Sequence, residues 1–260
     1  MLVISANSLS RCITKNKVYT MTYIILAAGK GSSLQPLTLK YPKTSFRLDE
    51  NTTVLQRMVR TIRQYDKDAE IVVVLGYLAD MVKEELSEEN CKFVLNPFYE
   101  VTNSISSLWF ARQFLERENV AIVHGDVVYE DSIIENYLVK PTDYPYVLTD
   151  STCLISGNYN AVVKDMQILV MSKKLENFSA KYCCMTKLDA VSSRLIKEEI
   201  DNMIKNNMYG QYYEDSLVQL IMFHDFQLFS EDIAGMQWSE VDTVDDLLNA
   251  QKIHHSKNPS

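Results

Sequence analysis

The fold of this 260-residue chain is decided by residues 23–36, which read YIILAAGKGSSLQP. The apolar run at 23–27 has the length of a buried strand and is far too short to span a membrane. The run ends in an alanine, and a second alanine, a glycine, a lysine and a second glycine follow it directly. Small residues leave backbone N–H groups accessible at the carboxyl end of a strand. The stretch therefore predicts a parallel strand followed by a loop that can receive an anion.

The same pattern recurs through the first half of the chain. Apolar runs at 71–75, 92–95 and 120–123 predict three further buried strands. Helical segments separate them, and Thr53 with Gln56 forms a capping box at the start of the first helix. Strands that alternate with helices are typical of a doubly wound α/β sheet, in which ligands bind at the carboxyl ends of the strands.

The second half is less regular and predicts strands of mixed direction. Its predicted strands are 144–149, 160–163, 168–172, 182–188 and 237–241, and its predicted helices are 190–206, 215–222 and 244–253. We expect one domain over residues 21–253, built on a mixed but mostly parallel sheet. Residues 1–20 carry basic residues and no acid, and they are interpreted as an N-terminal extension left by an upstream start, with a transit or anchoring role as the alternative. Residues 254–260 are interpreted as a polar tail.

Composition argues against several classes of protein. The chain has 26 Lys and Arg against 34 Asp and Glu, a net charge of −8, which argues against nucleic-acid binding through counterion release. A hydrophobic content of 47% with 23% charged residues is typical of a globular protein, and no run approaches the ~20 apolar residues of a membrane span. The five cysteines form no C-x-x-C pair, which predicts reduced thiols in a cytoplasmic protein without a zinc site.

Glycine is scarce and concentrated at one predicted edge of the sheet. Of seven glycines, Gly29, Gly31, Gly76 and Gly125 lie at the ends of predicted strands. This placement indicates that backbone approaches a ligand there, with tight turns alone as the alternative.

The loop after the first strand matches neither of the common phosphate-binding motifs. It lacks G-x-x-x-x-G-K-[ST], and Leu34 stands where G-x-G-x-x-G requires its third glycine. Asp49 lies about 20 residues further on, so a dinucleotide-binding oxidoreductase stays open as an alternative. What remains is a nest of N–H groups with a lysine, which suits a nucleoside triphosphate. Pro42 would stiffen the chain and hold Lys43 over the same edge.

Residues 25–43 resemble the signature of the sugar-phosphate and alcohol-phosphate nucleotidylyltransferases. The matching positions are ILAAGKGS at 25–32, then Leu34, PLT at 36–38 and PK at 42–43. The chain looks closest to the small bacterial branch that uses CTP, the phosphocholine and 2-aminoethylphosphonate cytidylyltransferases. Weaker blocks follow in the same order at 74–78, 107–108, 213–215 and 238–242. The resemblance implies a Rossmann-like nucleotide-diphospho-sugar transferase fold with a smaller acceptor-binding subregion.

The resemblance also implies a reaction. A phosphate or phosphonate oxygen of a small phosphorylated alcohol or phosphonate would attack the α-phosphorus of CTP, and pyrophosphate would leave. Transfer to a sugar 1-phosphate is the alternative. The protein would supply positioning and charge neutralisation, with Mg²⁺ held by a few carboxylates and water. Dimers are common in such families, and the sequence leaves the oligomeric state open.

Four residues are assigned to the chemistry by this resemblance. Asp126 and Asp242 each follow a predicted strand and would share Mg²⁺, with a turn or helix-capping role as the alternative for each. Lys43 would contact the reacting phosphates. Lys173 would contact the acceptor phosphate, although the adjacent Lys174 leaves the register open. A solvated surface lysine is the alternative for Lys43 and Lys173.

Two further groups of residues are assigned to binding. The nucleotide would contact Ala27, Ala28, Gly29, Lys30, Gly31, Gly76, Asn103 and Ser104, with simple helix capping as the alternative for the last two. The acceptor would contact Tyr159, Tyr182, Tyr213, Asp215 and Trp238. The aromatic residues could form a cage for a quaternary ammonium, with core packing as the alternative, and Glu214, Asp215 or Glu240 could contact a primary amine.

The chain departs from the family pattern at two places. Relatives usually carry an arginine at the position of Ser33, where it is thought to neutralise the leaving pyrophosphate, and a serine cannot supply that charge. Lys30 is the candidate to compensate, and the alternative is a weakly active or non-catalytic nucleotide-binding relative. Cys183 and Cys184 lie near a glycine of the relatives' acceptor loop, a departure that concerns the acceptor more than the nucleotide.

Overall fold

The computed structural model describes residues 20–155 and 159–256. A nine-stranded sheet with helices on both faces forms its centre, and a two-stranded sheet lies beside it. The strands are β1 (Thr22–Ala27), β2 (Glu70–Leu75), β3 (Lys92–Leu95), β4 (Asn119–His124), β5 (Val127–Tyr129), β6 (Tyr146–Asp150), β7 (Asn160–Lys164), β8 (Gln167–Ser172), β9 (Ala180–Asp189), β10 (Phe229–Asp232) and β11 (Trp238–Glu240). The helices are α1 (Val54–Tyr65), α2 (Ala79–Glu85), α3 (Ser104–Phe110), α4 (Asp131–Ile133), α5 (Ala190–Lys205), α6 (Glu214–Phe223) and α7 (Val244–His255). The predicted α/β class is confirmed.

The large sheet is parallel at one side and mixed at the other. Its order is β3-β2-β1-β4-β9-β6-β10-β8-β7. The first four strands are parallel. β9 runs antiparallel between β4 and β6, β10 pairs in parallel with β6, and β8 and β7 are antiparallel neighbours at the far edge. The loops that follow β1, β2 and β4 therefore meet at one edge, as expected for a doubly wound sheet.

Alternate residues of the central strands are buried on opposite faces of the sheet. Tyr23 and Ile25 pack with α1 on one face, whereas Ile24 packs with α3, α5 and α6 on the other. A strand covered on both faces needs apolar residues at every position. This explains why 23–27, 71–75 and 120–123 are continuous apolar runs rather than alternating ones.

The two-stranded sheet brings the last strand to the carboxyl edge of β4. β5 begins three residues after β4 ends, and it pairs antiparallel with β11, with Val127 opposite Glu240. Just beyond this pairing, the backbone N–H of Val241 donates to the carbonyl of Asp126 at 2.9 Å. The sequence predicted β11, but it missed β5 and β10.

The helices α1 and α7 each begin with a capping box. Thr53 and Gln56 form the predicted capping box of α1. At the other end of the chain, α7 runs two residues beyond the predicted boundary because His254 Nε2 lies 2.7 Å from Asp49 Oδ2 and packs against the domain. The predicted tail thus begins inside α7. Residues 1–19 of the predicted extension and 257–260 of the tail lie outside the described residues. Among the helices in the described ranges, none has the length and apolar character to cross a bilayer.

Candidate active site

The centre of the candidate site is one lysine between two carboxylates. Lys43 Nζ lies 2.7 Å from Asp126 Oδ2 and 2.7 Å from Asp242 Oδ1. Asp126 follows β4 and Gly125, Asp242 follows β11, and Lys43 begins the short 3₁₀ helix Lys43–Ser45 after Pro42. Because both oxygens contact one nitrogen, the two carboxylates lie within reach of a single cation. The structure therefore brings together three residues that are far apart in sequence.

The charge state of this trio follows from its surroundings. Burial lowers the pKa of the Lys43 ammonium, but the negative charges of Asp126 and Asp242 outweigh it and raise the pKa above its ordinary value. Lys43 is therefore charged at neutral pH. Its side chain is 14% exposed, whereas that of Asp242 is 42% exposed, so the trio opens to solvent on the Asp242 side.

The donor set fits a hard divalent cation. Two carboxylates that converge on one point are the ligands that Mg²⁺ takes from proteins, with water or phosphate oxygens completing its shell. Lys43 carries one positive charge against the two negative charges. Asp126 and Asp242 are therefore the residues that could hold Mg²⁺, and the trio keeps a deficit of positive charge.

The second glycine of the signature loop is explained by Lys43. Gly31 has a φ of +64°, and a Cβ placed there would lie 2.3 Å from Cγ of Lys43. Gly31 thus lets the lysine stem cross the loop and reach the two carboxylates. Gly76 plays a related part, since a Cβ there would lie 2.6 Å from the carbonyl oxygen of Ala28. At Gly29 an added Cβ would meet nothing within 4 Å, so the space beside it is open.

Lys30 lies apart from this trio. Its ammonium is 2.7 Å from Glu100 Oε1 and 5.8 Å from the ring centre of Tyr99. Ser33, where the family pattern has an arginine, is exposed in the 3₁₀ helix Ser32–Leu34. The only cation that the sequence offered as a substitute for that arginine is therefore paired with a carboxylate in this structure.

Asn103 has the capping role that was one of its two interpretations, whereas Ser104 is the first residue of α3. Asn103 Oδ1 accepts from the backbone N–H of Ser104 at 2.8 Å, and Asn103 is the N-cap of α3. The hydroxyl of Ser104 accepts from the backbone N–H of Tyr213 at 2.9 Å. These contacts tie the start of α3 to the start of α6. A nucleotide contact for the same two residues stays a prediction.

Beneath the trio lies a buried polar network that the sequence analysis mostly missed. His124 Nε2 is 2.8 Å from Glu214 Oε1, and His124 Nδ1 is 3.8 Å from Glu240 Oε1. Lys181 Nζ lies 3.6 Å from the other oxygen of Glu240. Burial raises the pKa of Glu240, but His124, Lys181 and Lys43 lower it more strongly, to about 2. The sequence did offer one signal for this network. Trp238, Glu240 and Asp242 are spaced two residues apart, which places their side chains on one face of a strand.

The predicted acceptor residues divide between the core and one cavity. Tyr182 and Tyr213 are 1% and 0% exposed, and their hydroxyls are hydrogen-bonded to each other. Both residues therefore lie in the core, which was the alternative interpretation. The Tyr159 hydroxyl donates to Asp215 Oδ1 at 2.8 Å, and Asp215 Oδ2 accepts from the Tyr212 backbone N–H. Substrate contact for these four predicted residues stays a prediction.

Lys173, the second predicted catalytic lysine, is exposed after the end of β8. Its ammonium lies 4.3 Å from the ring centre of Tyr212, so it shares neither Asp126 nor Asp242 with Lys43. Its predicted contact with the acceptor phosphate is untested by this geometry.

Trp238, the remaining predicted acceptor residue, lines a cavity of about 720 Å³ beside the trio. Asp242, Glu240, Lys181 and Asp150 line the same cavity. The Trp238 Nε1–H donates to Asp150 Oδ2 at 2.9 Å, and Lys181 Nζ lies 4.6 Å from the centre of the Trp238 ring. The cavity therefore runs from one of the candidate metal ligands to a tryptophan covered by an ammonium.

Cys184 has a backbone conformation that favours glycine, the residue that the family pattern has near this position. Its φ is +60°, in the left-handed region that a glycine enters without strain. The glycine expected near this position would satisfy the same turn of the chain. The side chain of Cys184 lies with His124 and Glu240, all three having potential ligand atoms within 4.8 Å of one another.

Comparisons with known proteins agree with this fold and with the resemblance. Residues 22–161 match the nucleotidyl transferase family. The CTP:phosphoglutamine cytidylyltransferase of Campylobacter jejuni is 26% identical over 253 residues, covering 87% of this chain and 98% of that protein. The choline-phosphate cytidylyltransferase of Streptococcus pneumoniae is 23% identical over 238 residues, covering 92% of this chain and 100% of that protein.

Solved structures share the same fold. The CTP:phosphocholine cytidylyltransferase from Streptococcus pneumoniae aligns with a TM-score of 0.74 at 18% identity, over 90% of this chain and 99% of that chain. The inositol-1-phosphate CTP transferase from T. maritima aligns with a TM-score of 0.70 at 15% identity, over 90% and 96%. Since the family match spans more than half of the sequence, this chain belongs to the nucleotidyl transferase family.

Proposed function

We propose that this protein transfers a cytidylyl group from CTP to a small phosphorylated acceptor and releases pyrophosphate. The observation that carries the proposal is the contact of Lys43 with both Asp126 and Asp242 beside the signature loop. Relatives that align over nearly their whole length are named for CTP and for a phosphorylated acceptor, which supports the choice of nucleotide.

The reaction follows from the placement of these groups. An oxygen of the acceptor phosphate attacks the α-phosphorus, and the bond from that phosphorus to the pyrophosphate oxygen breaks. Backbone N–H groups of the loop around Gly29 and Lys30 hold the triphosphate. The charged ammonium of Lys43, fixed by its passage over Gly31, stabilises negative charge on the phosphates as it is redistributed. Mg²⁺ held by Asp126 and Asp242 would supply further charge neutralisation.

The test measures pyrophosphate release from CTP with a panel of small phosphate monoesters and Mg²⁺. In Asp126→Asn, which keeps the shape and removes the charge, we expect a loss of at least about a hundredfold in kcat. Asp80→Asn is the matched control, because the Asp80 side chain is fully exposed at the start of α2. Unchanged turnover in Asp126→Asn would refute the proposed function.

Nucleotide choice is tested separately by thermal shift. A ligand that binds only the folded state raises the melting temperature by mass action, so CTP should raise it more than UTP, GTP or dTTP at equal concentration. An equal rise with all four would remove the assignment of CTP.

A second candidate function is nucleotide binding with little or no turnover. The pairing of Lys30 with Glu100 and the exposure of Ser33 favour it, since neither residue then offers a free positive charge to the leaving pyrophosphate. In that case Ser33→Arg should raise kcat at least tenfold above a very low natural rate. Robust turnover by the natural chain would exclude this candidate.

A further inference from the structure

The cavity beside Asp242 presents its charged groups in a definite order. Asp242, Glu240 and Trp238 all line it, at alternate positions of the last strand and its end. With a rise of about 3.3 Å per residue, the path from Asp242 covers about 7 Å to Glu240 and about 13 Å to Trp238. A small molecule with its phosphate at Asp242 would therefore have its other end beside Glu240.

Lys181 on β9 faces that far end. Its side chain is 10% exposed, and its ammonium lies 3.6 Å from Glu240 Oε2 and 4.6 Å from the Trp238 ring centre. The edge of the same ring is fixed by the hydrogen bond to Asp150. An ammonium of the protein thus already occupies one face of the only predicted cage residue that lines the cavity.

This arrangement bears on the chemistry of the acceptor. A quaternary ammonium binds through aromatic faces, and a ligand cation at Trp238 would share the ring with the charge of Lys181. An ammonium has three N–H donors, and the 3.6 Å separation from Glu240 is longer than a hydrogen bond. Lys181 therefore keeps donors for an anionic group in the cavity, and Glu240 beside it can accept from an amino group.

Resting on the function proposed above, we infer that the acceptor is a small phosphorylated molecule whose far end carries a carboxylate. Lys181 binds that carboxylate and is the residue that discriminates against acceptors whose far end is only a cation. An amino group next to the carboxylate is tolerated because Glu240 lies beside Lys181.

Four phosphate monoesters test this inference in one series. Phosphoglycolate carries a carboxylate, phosphoserine a carboxylate and an amino group, phosphoethanolamine an amino group, and phosphocholine a quaternary ammonium. For the natural chain with CTP and Mg²⁺, we expect kcat/KM for the first two to exceed that for the last two at least tenfold. In Lys181→Met the first two should fall by about tenfold to a hundredfold, while the last two stay constant or rise.

Two variants control for structural damage. Lys181→Arg keeps the charge and should keep the preference for a carboxylate. Lys92→Met is matched to Lys181→Met, because Lys92 also lies over an aromatic ring, 5.7 Å from the centre of Phe114, and pairs with an acid, Glu70, at 2.6 Å. Lys92→Met should leave all four kcat/KM values unchanged.

The outcomes separate this inference from the proposed function when acceptor binding is measured by calorimetry beside turnover. Pyrophosphate release that is fastest with phosphocholine, or an equal loss with all four acceptors in Lys181→Met, overturns the inference and leaves the function standing. Phosphoglycolate binding that disappears in Lys181→Met, without any pyrophosphate release from CTP, supports the inference and overturns the function. Absence of both binding and release overturns both.

Discussion

Both edges of the central sheet carry a cluster of carboxylates and cations, and the balance of charge differs between them. At the carboxyl edge, Lys43 is the one cation of the described residues that pairs with Asp126 and Asp242. At the amino edge, Glu70 alone is contacted by Lys92 at 2.6 Å and by Arg117 at 3.0 Å, beside a cavity of about 530 Å³. Two carboxylates thus share one ammonium at the carboxyl edge, whereas one carboxylate has two cationic partners at the amino edge.

The two edges therefore differ in how fully their carboxylates are compensated by cations. The Glu70 carboxylate is fully compensated, with Thr22 donating a further hydrogen bond at 2.9 Å, and its two cations are half exposed to water. Within residues 20–155 and 159–256, the Asp126–Asp242 pair is compensated by the ammonium of Lys43 alone, in a partly buried setting where charge is costly. A divalent cation would balance the charge of Asp126 and Asp242 at the carboxyl edge, whereas Glu70 at the amino edge already has two cationic partners.

Removing the ammonium of the carboxyl edge should have the largest effect. In Lys43→Met, two carboxylates face each other without a cation, so we expect cytidylyl transfer to fall by about 10²- to 10³-fold and the unfolding free energy by about 1–3 kcal/mol. Added Mg²⁺ should restore stability more in the variant than in the natural chain, because the ion can replace the lost charge. Chemical unfolding with and without Mg²⁺ measures this.

The control for that experiment is Lys40→Met, an exposed lysine in the same loop. If Mg²⁺ stabilises Lys43→Met no more than Lys40→Met, the two carboxylates do not form a cation site.

An added methyl group at Gly31 should have the next largest effect. Ala at this position must take a φ of +64° and place its Cβ 2.3 Å from Lys43 Cγ, so Gly31→Ala should lose about 1–3 kcal/mol of stability and at least tenfold in turnover. Gly210→Ala is the matched control, since a Cβ there meets nothing within 4 Å. Equal melting temperatures for the two variants would show that the loop does not constrain Lys43.

The smallest effect is expected at the amino edge. Burial raises the pKa of Glu70, but the hydrogen bonds from Arg117, Lys92 and Thr22 lower it more strongly. The result is a pKa of about 2 instead of the ordinary 4.5. Its stabilising contribution is therefore present above about pH 4.5 and is lost as the pH falls towards 2. Because its partners are half exposed, Glu70→Gln should cost only about 1 kcal/mol at pH 7 and nothing near pH 2, with turnover unchanged.

Urea unfolding at a series of pH values checks this prediction. A stability difference between Glu70→Gln and the natural chain that persists at pH 2, or a loss of turnover at pH 7, would contradict the comparison of the two edges.

Sequence patterns predicted the elements on the nucleotide side of the molecule better than those on the acceptor side. Local features on the nucleotide side depend only on residues close in sequence. They are the strand at 23–27, its loop and the capping box at Thr53. Asp126 was also accessible, because it directly follows a recognisable parallel strand. The acceptor side is built from β6, β9 and β11, whose contacts join residues about 90 positions apart, as between Asp150 and Trp238.

The sequence by itself determined the α/β alternation and the small-residue loop after β1, because periodicity and strand ends are properties of short segments, and the family resemblance singled out Lys43, Asp126 and Asp242 as candidates. Only the tertiary structure decided that Tyr182 and Tyr213 are in the core, that Lys181 covers Trp238, and that β5 carries β11 to the edge. Such pairings depend on which side chains packing brings within a few ångströms of one another, and no local pattern encodes that distance.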